Sequence, residues 1–192
     1  MTPRIRVKSV EILSQGWSVL KRTILDYRRA DGTWQTLARE TYDRGNGATI
    51  LLYDPDRKTV LLIRQFRFPA FAAGHPGFLV ETCGGVLEGD DPATCIAREV
   101  EEETGYRIRD PQRVFDAFMS PGAVTERLTF FIARYAPTDR IGPGGGLAEE
   151  GEEIELLEPT LDEALAMIEA GEIVDAKTIM LLQYAKLHRL ME

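Results

Sequence analysis

The sequence predicts an α/β fold, a mixed β-sheet with a few separated helices, preceded by an antiparallel strand unit at the N-terminus. Three observations carry this expectation. Ala48 to Tyr53 and Thr59 to Phe66 are nearly continuous apolar runs on either side of Asp54-Pro55-Asp56, as in a hairpin of strands covered on both faces. Asp31-Gly32 separates two strand-like stretches and is a strong hairpin turn signal. Asp91-Pro92 opens a helical segment, with Asp as N-cap and Pro at the first helical position, and Gly105 closes it.

Taken in order, Val7 to Leu13 and Ser18 to Tyr27 are rich in β-branched and apolar residues and predict two strands. Thr33 to Tyr42 returns after the Asp31-Gly32 turn, so the first 45 or so residues form one antiparallel unit, punctuated by Gly45-Asn46-Gly47. The two apolar runs that follow belong at the centre of the sheet. Pro69 to Gly77 reads as a loop, and Phe78 to Cys83 as a short strand running into Gly84-Gly85. After the helix come two more strands, Val114 to Met119 and Leu128 to Tyr135, flanking Ser120-Pro121-Gly122. Pro137 to Gly151 carries five glycines and several acids and is expected to be a mobile loop. Leu161 to Ala170 and Asp175 to Leu190 are expected to be amphipathic helices.

Composition bounds the function. At 192 residues and 44% hydrophobic content, the chain is long enough for one domain with a buried core and a small appendage. It carries 23 Lys and Arg against 31 Asp and Glu, a net charge of −8, which argues against a general nucleic-acid binder. Two cysteines, Cys83 and Cys95, exclude a disulfide scaffold and a four-cysteine zinc site. With only His75 and His188 available, a histidine-based zinc site is excluded in practice as well. No apolar run approaches the roughly 18 residues of a membrane span, and the first residues lack a signal-peptide core. A cytoplasmic protein with no membrane partner is expected.

The most informative stretch is Arg98-Glu99-Val100-Glu101-Glu102-Glu103-Thr104-Gly105. On a helix, at about 100° per residue, Glu99, Glu102 and Glu103 share one arc and Glu101 points away. Ala93, Ile96 and Val100 make an apolar stripe beside Glu99 and Glu103, so these carboxylates sit at the edge of the buried face. Like charges at this spacing repel, and acids in the last turns oppose the negative end of the helix dipole. Arg98 offsets only part of that. A segment that breaks several local rules at once is either a solvated acidic face or a functional site. For the second reading the residue types point to a hard divalent cation such as Mg²⁺ or Mn²⁺, because no soft or imidazole ligand accompanies the carboxylates. Gly84-Gly85 precedes the helix, where backbone groups can approach a phosphate or a metal closely.

Gly84 to Asp90, seven intervening residues, and Arg98 to Tyr106 together resemble the Nudix box, G-x5-E-x7-R-E-U-x-E-E-x-G-U, where U is a bulky apolar residue. Asp90 stands where that pattern has Glu, and Gly85 is a second candidate for the first glycine. The segments Tyr42 to Ala48, Leu62 to Arg67, Met119 to Gly122, Gly144-Gly145-Gly146 and Asp175 to Thr178 are similar to the ADP-sugar branch of the same family, so the resemblance covers nearly the whole chain.

That resemblance implies a Nudix fold, a mixed sheet sandwiched between α-helices. It also implies a division into an N-terminal strand unit, 1–41, and a Nudix domain, 42–192. The first would serve dimerisation by strand exchange, giving a homodimer. The implied activity is Mg²⁺-dependent hydrolysis of the pyrophosphate bond of a nucleoside diphosphate sugar, with Mn²⁺ as a possible substitute. GDP-mannose, giving GMP and mannose 1-phosphate, is the first expectation, and ADP-ribose, giving AMP and ribose 5-phosphate, is the alternative.

Carried onto this chain, the metal ligands are Glu99, Glu103 and the Gly84 carbonyl, with Glu152 from the acidic loop. Glu152, Glu103 and Glu102 are the catalytic carboxylates. Glu102 is a further ligand or the partner of Arg98, and Glu149, Glu150 and Glu153 compete with Glu152 for its role. Arg67 is a diphosphate clamp or an exposed strand-end charge, since guanidinium matches phosphate in fork geometry. Trp17 stacks on the base or packs in an interface. Arg39, Glu40, Glu126 and Lys177 complete the substrate-binding set. Cys95 reads as a packing residue, His75 receives no role, and the triple glycine lacks the spacing of a dinucleotide fingerprint.

Overall fold

The computed structural model describes residues 4–192. Its chain opens with three antiparallel strands, β1 (Ile5–Gln15), β2 (Val19–Arg28) and β3 (Trp34–Asp43), paired in sequence order. The turn between β2 and β3 is built as its residues dictate: Asp31 Oδ1 accepts the Thr33 N–H at 2.9 Å, and Gly32 takes a φ of +88° that a side chain would disfavour. β1 is exposed along its length, with Ile5, Val7, Val10 and Ile12 each more than half open. Two bulges interrupt its pairing with β2, one between Val7 and Ser9 and one between Ile12 and Ser14. These strands, the residues up to Asn46 and the segment Phe118–Arg127 form one compact unit.

Gly47–Ala117 and Leu128–Glu192 make up the second unit. Its sheet is built on β4 (Gly47–Asp54) and β5 (Thr59–Phe66), the two apolar runs. Every residue of β4 is buried, because it pairs with β5 on one side and in parallel with β9 (Arg127–Arg134) on the other. β8 (Gln112–Phe118) lies beyond β9, and β10 (Glu155–Leu157) beyond β5, giving the order β10-β5-β4-β9-β8. Asp54 closes the β4–β5 turn by accepting the N–H groups of Asp56 and Arg57 at 3.0 and 3.1 Å.

Alternation along β4 sends its side chains to two cores. Ala48, Ile50 and Leu52 pack with Ile96 and Val100 of α2 (Pro92–Thr104) in one cluster with Phe131. On the other face Thr49 joins Thr82, which is bonded to Thr178 of α4 (Ala176–Leu187). Helices therefore cover both faces of the sheet, with α3 (Leu161–Glu169) beside α4. Among the described residues no helix is long and apolar enough to cross a membrane.

Three local features differ from the sequence expectation. Residues 69–77 are not all loop: α1 (Phe68–Ala72) forms there, with Pro69 in its first turn, where a missing N–H costs nothing. The stretch 78–83 is two strands, β6 (Phe78–Glu81) on β5 and β7 (Cys83–Val86) on β4. The break falls at Thr82, whose N–H donates to Thr178 Oγ1 at 2.7 Å instead of to a strand. Finally, α4 stops at Leu187, and Arg189 turns to a φ of +53°.

Candidate active site

The α2 helix begins and ends as its sequence requires. Asp91 Oδ2 accepts the N–H groups of Ala93 and Thr94, and Gly105 adopts a φ of +72° at the C-terminal cap. The glycine-rich loop completes that cap. Gly145 and Gly146 donate their N–H groups to the carbonyls of Glu103 and Glu102, at 2.9 and 3.1 Å. A side chain on Gly144 would run into Glu103 O, 2.8 Å away. The loop expected to be mobile is thus hydrogen-bonded onto the last turn of the helix. The triple glycine is explained by the closeness of two backbones.

Glu103 is 2% exposed and points at β7, where Oε2 accepts the Gly84 N–H at 3.2 Å. Burial pushes its carboxyl up to about 8, with the negative charges of Glu99 and Glu152 adding to the push and the Cys83 thiol and Gly84 N–H opposing it. Glu99 packs against Gly85, where any side chain would overlap its carboxylate. Glu152, in the acidic loop, is half-buried, and its Oε2 accepts the Leu147 N–H at 3.1 Å. Glu149 and Glu153 are exposed by contrast, and the side chain of Glu150 lies outside those described. Glu102 is half-buried, and its carbonyl is taken by the loop.

Arg98 donates to Asp90 at 2.8 Å and stands 4.0 Å from Glu99, so Asp90 supplies the partner at the position where the box pattern has Glu. Cys95 is fully buried, with Sγ 3.5 Å from Val86 O and 4.0 Å from Glu99 Oε1. Burial first, then Glu99, pushes this thiol up to about 11, which keeps it protonated and suits a packing role. His75 Nδ1 accepts the Gly77 N–H within its own turn.

The donors suit a hard divalent cation. They are carboxylate oxygens, and the buried Glu103 carboxyl faces the two further negative charges of Glu99 and Glu152. Among the described residues no three Asp, Glu, His or Cys side chains form a ready cage. Mg²⁺ does not require one, since it keeps several waters and takes one or two carboxylates. Glu99, Glu103 and Glu152 with the Gly84 carbonyl are the residues that would hold it.

A second cluster adjoins the first. Arg67, between β5 and α1, forms a two-pronged pair with Glu81, Nε to Oε1 at 2.9 Å and Nη2 to Oε2 at 3.0 Å. Lys177, in the first turn of α4, donates to the same Oε2 at 2.6 Å and stands 3.0 Å from Asp175. The structure therefore brings together two expected substrate-binding cations on a buried carboxylate that the sequence reading did not single out. The cue was available: Glu81 is an acid that follows the apolar run Phe78-Leu79-Val80 on a short strand, three residues before Gly84.

Trp17, Arg39, Glu40 and Glu126 all belong to the first unit. Trp17 is 82% exposed, with the Arg44 guanidinium 5.4 Å from its ring centre. Arg44 also meets Glu126 at 3.4 Å. Glu40 pairs with Arg22 at 3.3 Å, and Arg39 donates to Ala38 O at 2.8 Å. Arg39 and Glu40 line a recess of about 400 Å³ together with Phe118, Pro121 and Val124.

Comparison with known proteins bears on both parts of the chain. Residues 4–42 match the domain described as "GDP-mannose pyrophosphatase NudK N-terminal domain", and residues 43–182 match the NUDIX domain. Curated relatives include a GDP-mannose pyrophosphatase of Klebsiella pneumoniae subsp. pneumoniae, 46% identical over 192 residues that cover all of this chain and 96% of that protein. Proteins of the same name from Escherichia coli O1:K1 / APEC and from Shigella boydii serotype 4 are 47% identical over 193 residues, covering both partners completely. Among solved structures, a crystal structure of an ADP compounds hydrolase superposes with a TM-score of 0.72 at 15% identity, over 97% of this chain and 96% of that one, which supports the fold.

Proposed function

The chain belongs to the NUDIX hydrolase family, and from that premise we propose that it hydrolyses the pyrophosphate bond of GDP-mannose. The observation that carries the substrate is the similarity of the whole chain, N-terminal unit included, to proteins named GDP-mannose pyrophosphatase. The products are GMP and mannose 1-phosphate. Water oxygen attacks one phosphorus, the bridging P–O bond breaks, and the bridging oxygen leaves with the other phosphate.

Glu99, Glu103, Glu152 and the Gly84 carbonyl would hold Mg²⁺, with Mn²⁺ as substitute. Bound there, the cation neutralises diphosphate charge and acts as a Lewis acid. Glu152 is the general base, because it is half-buried and acts electrostatically on Glu103, whereas its neighbours Glu149 and Glu153 are exposed. Glu102 and Glu103 keep the site anionic enough to retain the cation. Arg67 and Lys177 bind diphosphate oxygens, Trp17 stacks on the base, and Arg39, Glu40 and Glu126 contact the rest of the nucleotide sugar.

The strand unit 1–41 serves a homodimer by exchange, and 42–192 is the catalytic domain, in a cytoplasmic enzyme. Residues 1–3 of that unit lie outside the described residues. The open apolar side chains of β1 support a role in association. Product analysis with Mg²⁺ across GDP-mannose, ADP-ribose, ADP-glucose and dinucleoside polyphosphates tests the reading. Preference for ADP-ribose overturns the substrate assignment, and failure to cleave any diphosphate overturns the activity. Sedimentation of the purified protein tests the dimer.

A further inference from the structure

Glu81 is nearly inaccessible at 1% exposure, yet it carries two cations from different parts of the fold. The Arg67 side chain paired with it is 40% exposed, and that of Lys177 is 15%. The arrangement is asymmetric: a hidden carboxylate takes the Nε and Nη2 edge of a guanidinium whose side chain remains open to solvent. An ion pair built only for packing has no need of an open cation.

The placement of Glu81 is itself held from three sides. β6 pairs with β5, setting Glu81 opposite Ile63. The next residue, Thr82, is tied through its N–H to Thr178 Oγ1 and lies 2.9 Å from Thr49 Oγ1. Asp175 fixes the start of α4 by accepting the N–H and the hydroxyl of Thr178, at 3.0 and 2.7 Å, and also pairs with Lys177. Three residues beyond Glu81, the Gly84 N–H meets Glu103. One short stretch of backbone, 81–84, therefore positions both the cation pair and the buried box carboxylate.

We propose that Glu81 is a positioning residue that gathers Arg67 and Lys177 into a two-cation receptor for the diphosphate of the substrate. Its function is to set where two positive groups stand before substrate arrives, so that a flexible diphosphate meets fixed partners. The carboxylate does not touch substrate. It acts through the guanidinium it grips and the ammonium it shares.

This rests on the reading of Arg67 and Lys177 as diphosphate ligands, and the experiment separates the two. E81Q, R67Q and the double variant are compared with the parent in GDP-mannose kinetics at saturating Mg²⁺. GDP binding is measured by calorimetry, Mn²⁺ binding to the substrate-free protein by titration, and folding by thermal melting. E81Q is expected to raise KM and weaken GDP binding about tenfold while Mn²⁺ binding stays within about twofold of the parent. In the double variant the loss should be smaller than the product of the two single losses, because Glu81 acts in part through Arg67, and the remainder is what it contributes through Lys177. Unchanged KM and GDP affinity in folded E81Q overturns the role, as does a double-variant loss equal to the product of the two single losses. Where E81Q does not fold, E81D keeps the charge but shortens the reach, and the same two measurements decide. If the parent does not cleave GDP-mannose, the substrate reading fails, and GDP binding still tests Glu81.

Discussion

Gly85 and Glu99 occupy positions that exclude each other's elaboration: a Cβ on Gly85 would lie within 2.7 Å of Glu99 Oε2 and overlap the rest of its carboxylate. Gly85 has no positive φ, so Gly85→Ala is not strained by its backbone; the whole cost falls on where Glu99 can stand. The variant is expected to fold while losing about 10- to 100-fold in Mn²⁺ affinity and turnover, as when a metal ligand is mispositioned. Mn²⁺ titration beside a thermal melt checks this. Unchanged metal affinity would show that Glu99 is not a ligand.

Glu103→Gln keeps the shape of the side chain and removes a buried titratable carboxyl that faces the charges of Glu99 and Glu152. Without divalent cation the variant should melt at or above the temperature of the parent, because above its ordinary 4.5 the buried carboxyl must either take up a proton on folding or bear a charge that burial disfavours, a cost glutamine avoids. With Mg²⁺ its turnover should fall by more than about a thousandfold, the worth of several kcal/mol of lost electrostatic stabilisation. Full activity would remove Glu103 from the metal site.

The legibility of these features in the sequence followed their range. The helix 92–104, its caps and its carboxylates repeat at helical spacing and obey rules that act within four residues, so the box stood out. The apolar runs of β4 and β5 likewise announced a covered sheet. What the sequence could not show was contact across long separations. Glu81 meets Lys177 from 96 positions away, and Arg67 from 14. The glycines at 144–146 looked like a flexible tract because nothing local shows that their N–H groups face the carbonyls of Glu102 and Glu103. The division of 78–83 between two strands was hidden for the same reason, since it depends on Thr178.

Acid stability offers an independent view of Glu81. Burial opposes its charge, but the hydrogen bonds and attraction of Arg67 and Lys177 outweigh burial and hold the carboxyl below its ordinary 4.5. Its folded value is thus lower than its unfolded one. The stabilisation is fully present above pH 4.5 and is lost as pH falls through the lower folded value. Glu103 and Asp175 also act on Arg67, and they remain in the variant. Unfolding by urea from about pH 5 to about pH 3 should therefore show a shallower loss of stability in Glu81→Gln than in the parent. The depressed carboxyls of Glu158 and Asp54 titrate in both proteins and cancel in the difference. Parallel curves would mean that the fork to Arg67 contributes nothing in solution.

The acidic loop supplies the last test, because Gly146 and Glu152 are coupled by space. Gly146 sits at a φ of +79°, donates its N–H to Glu102 O, and a Cβ there would come within 2.6 Å of Glu152 Oε2. Gly146→Ala should cost about 1 kcal/mol or more in stability from the left-handed backbone and also displace Glu152. Glu152→Gln should leave stability close to that of the parent and lower kcat by about 100- to 10,000-fold, the range for loss of a general base, with KM little changed. Gly146→Ala should then reproduce part of the kcat loss, which a purely structural change would not do in that selective way. Glu153→Gln, altering an exposed neighbour, should keep the parent rate. If Glu153→Gln is the variant that loses kcat and Glu152→Gln is not, the base is Glu153, and the partial burial of Glu152 serves only to hold the loop against the helix.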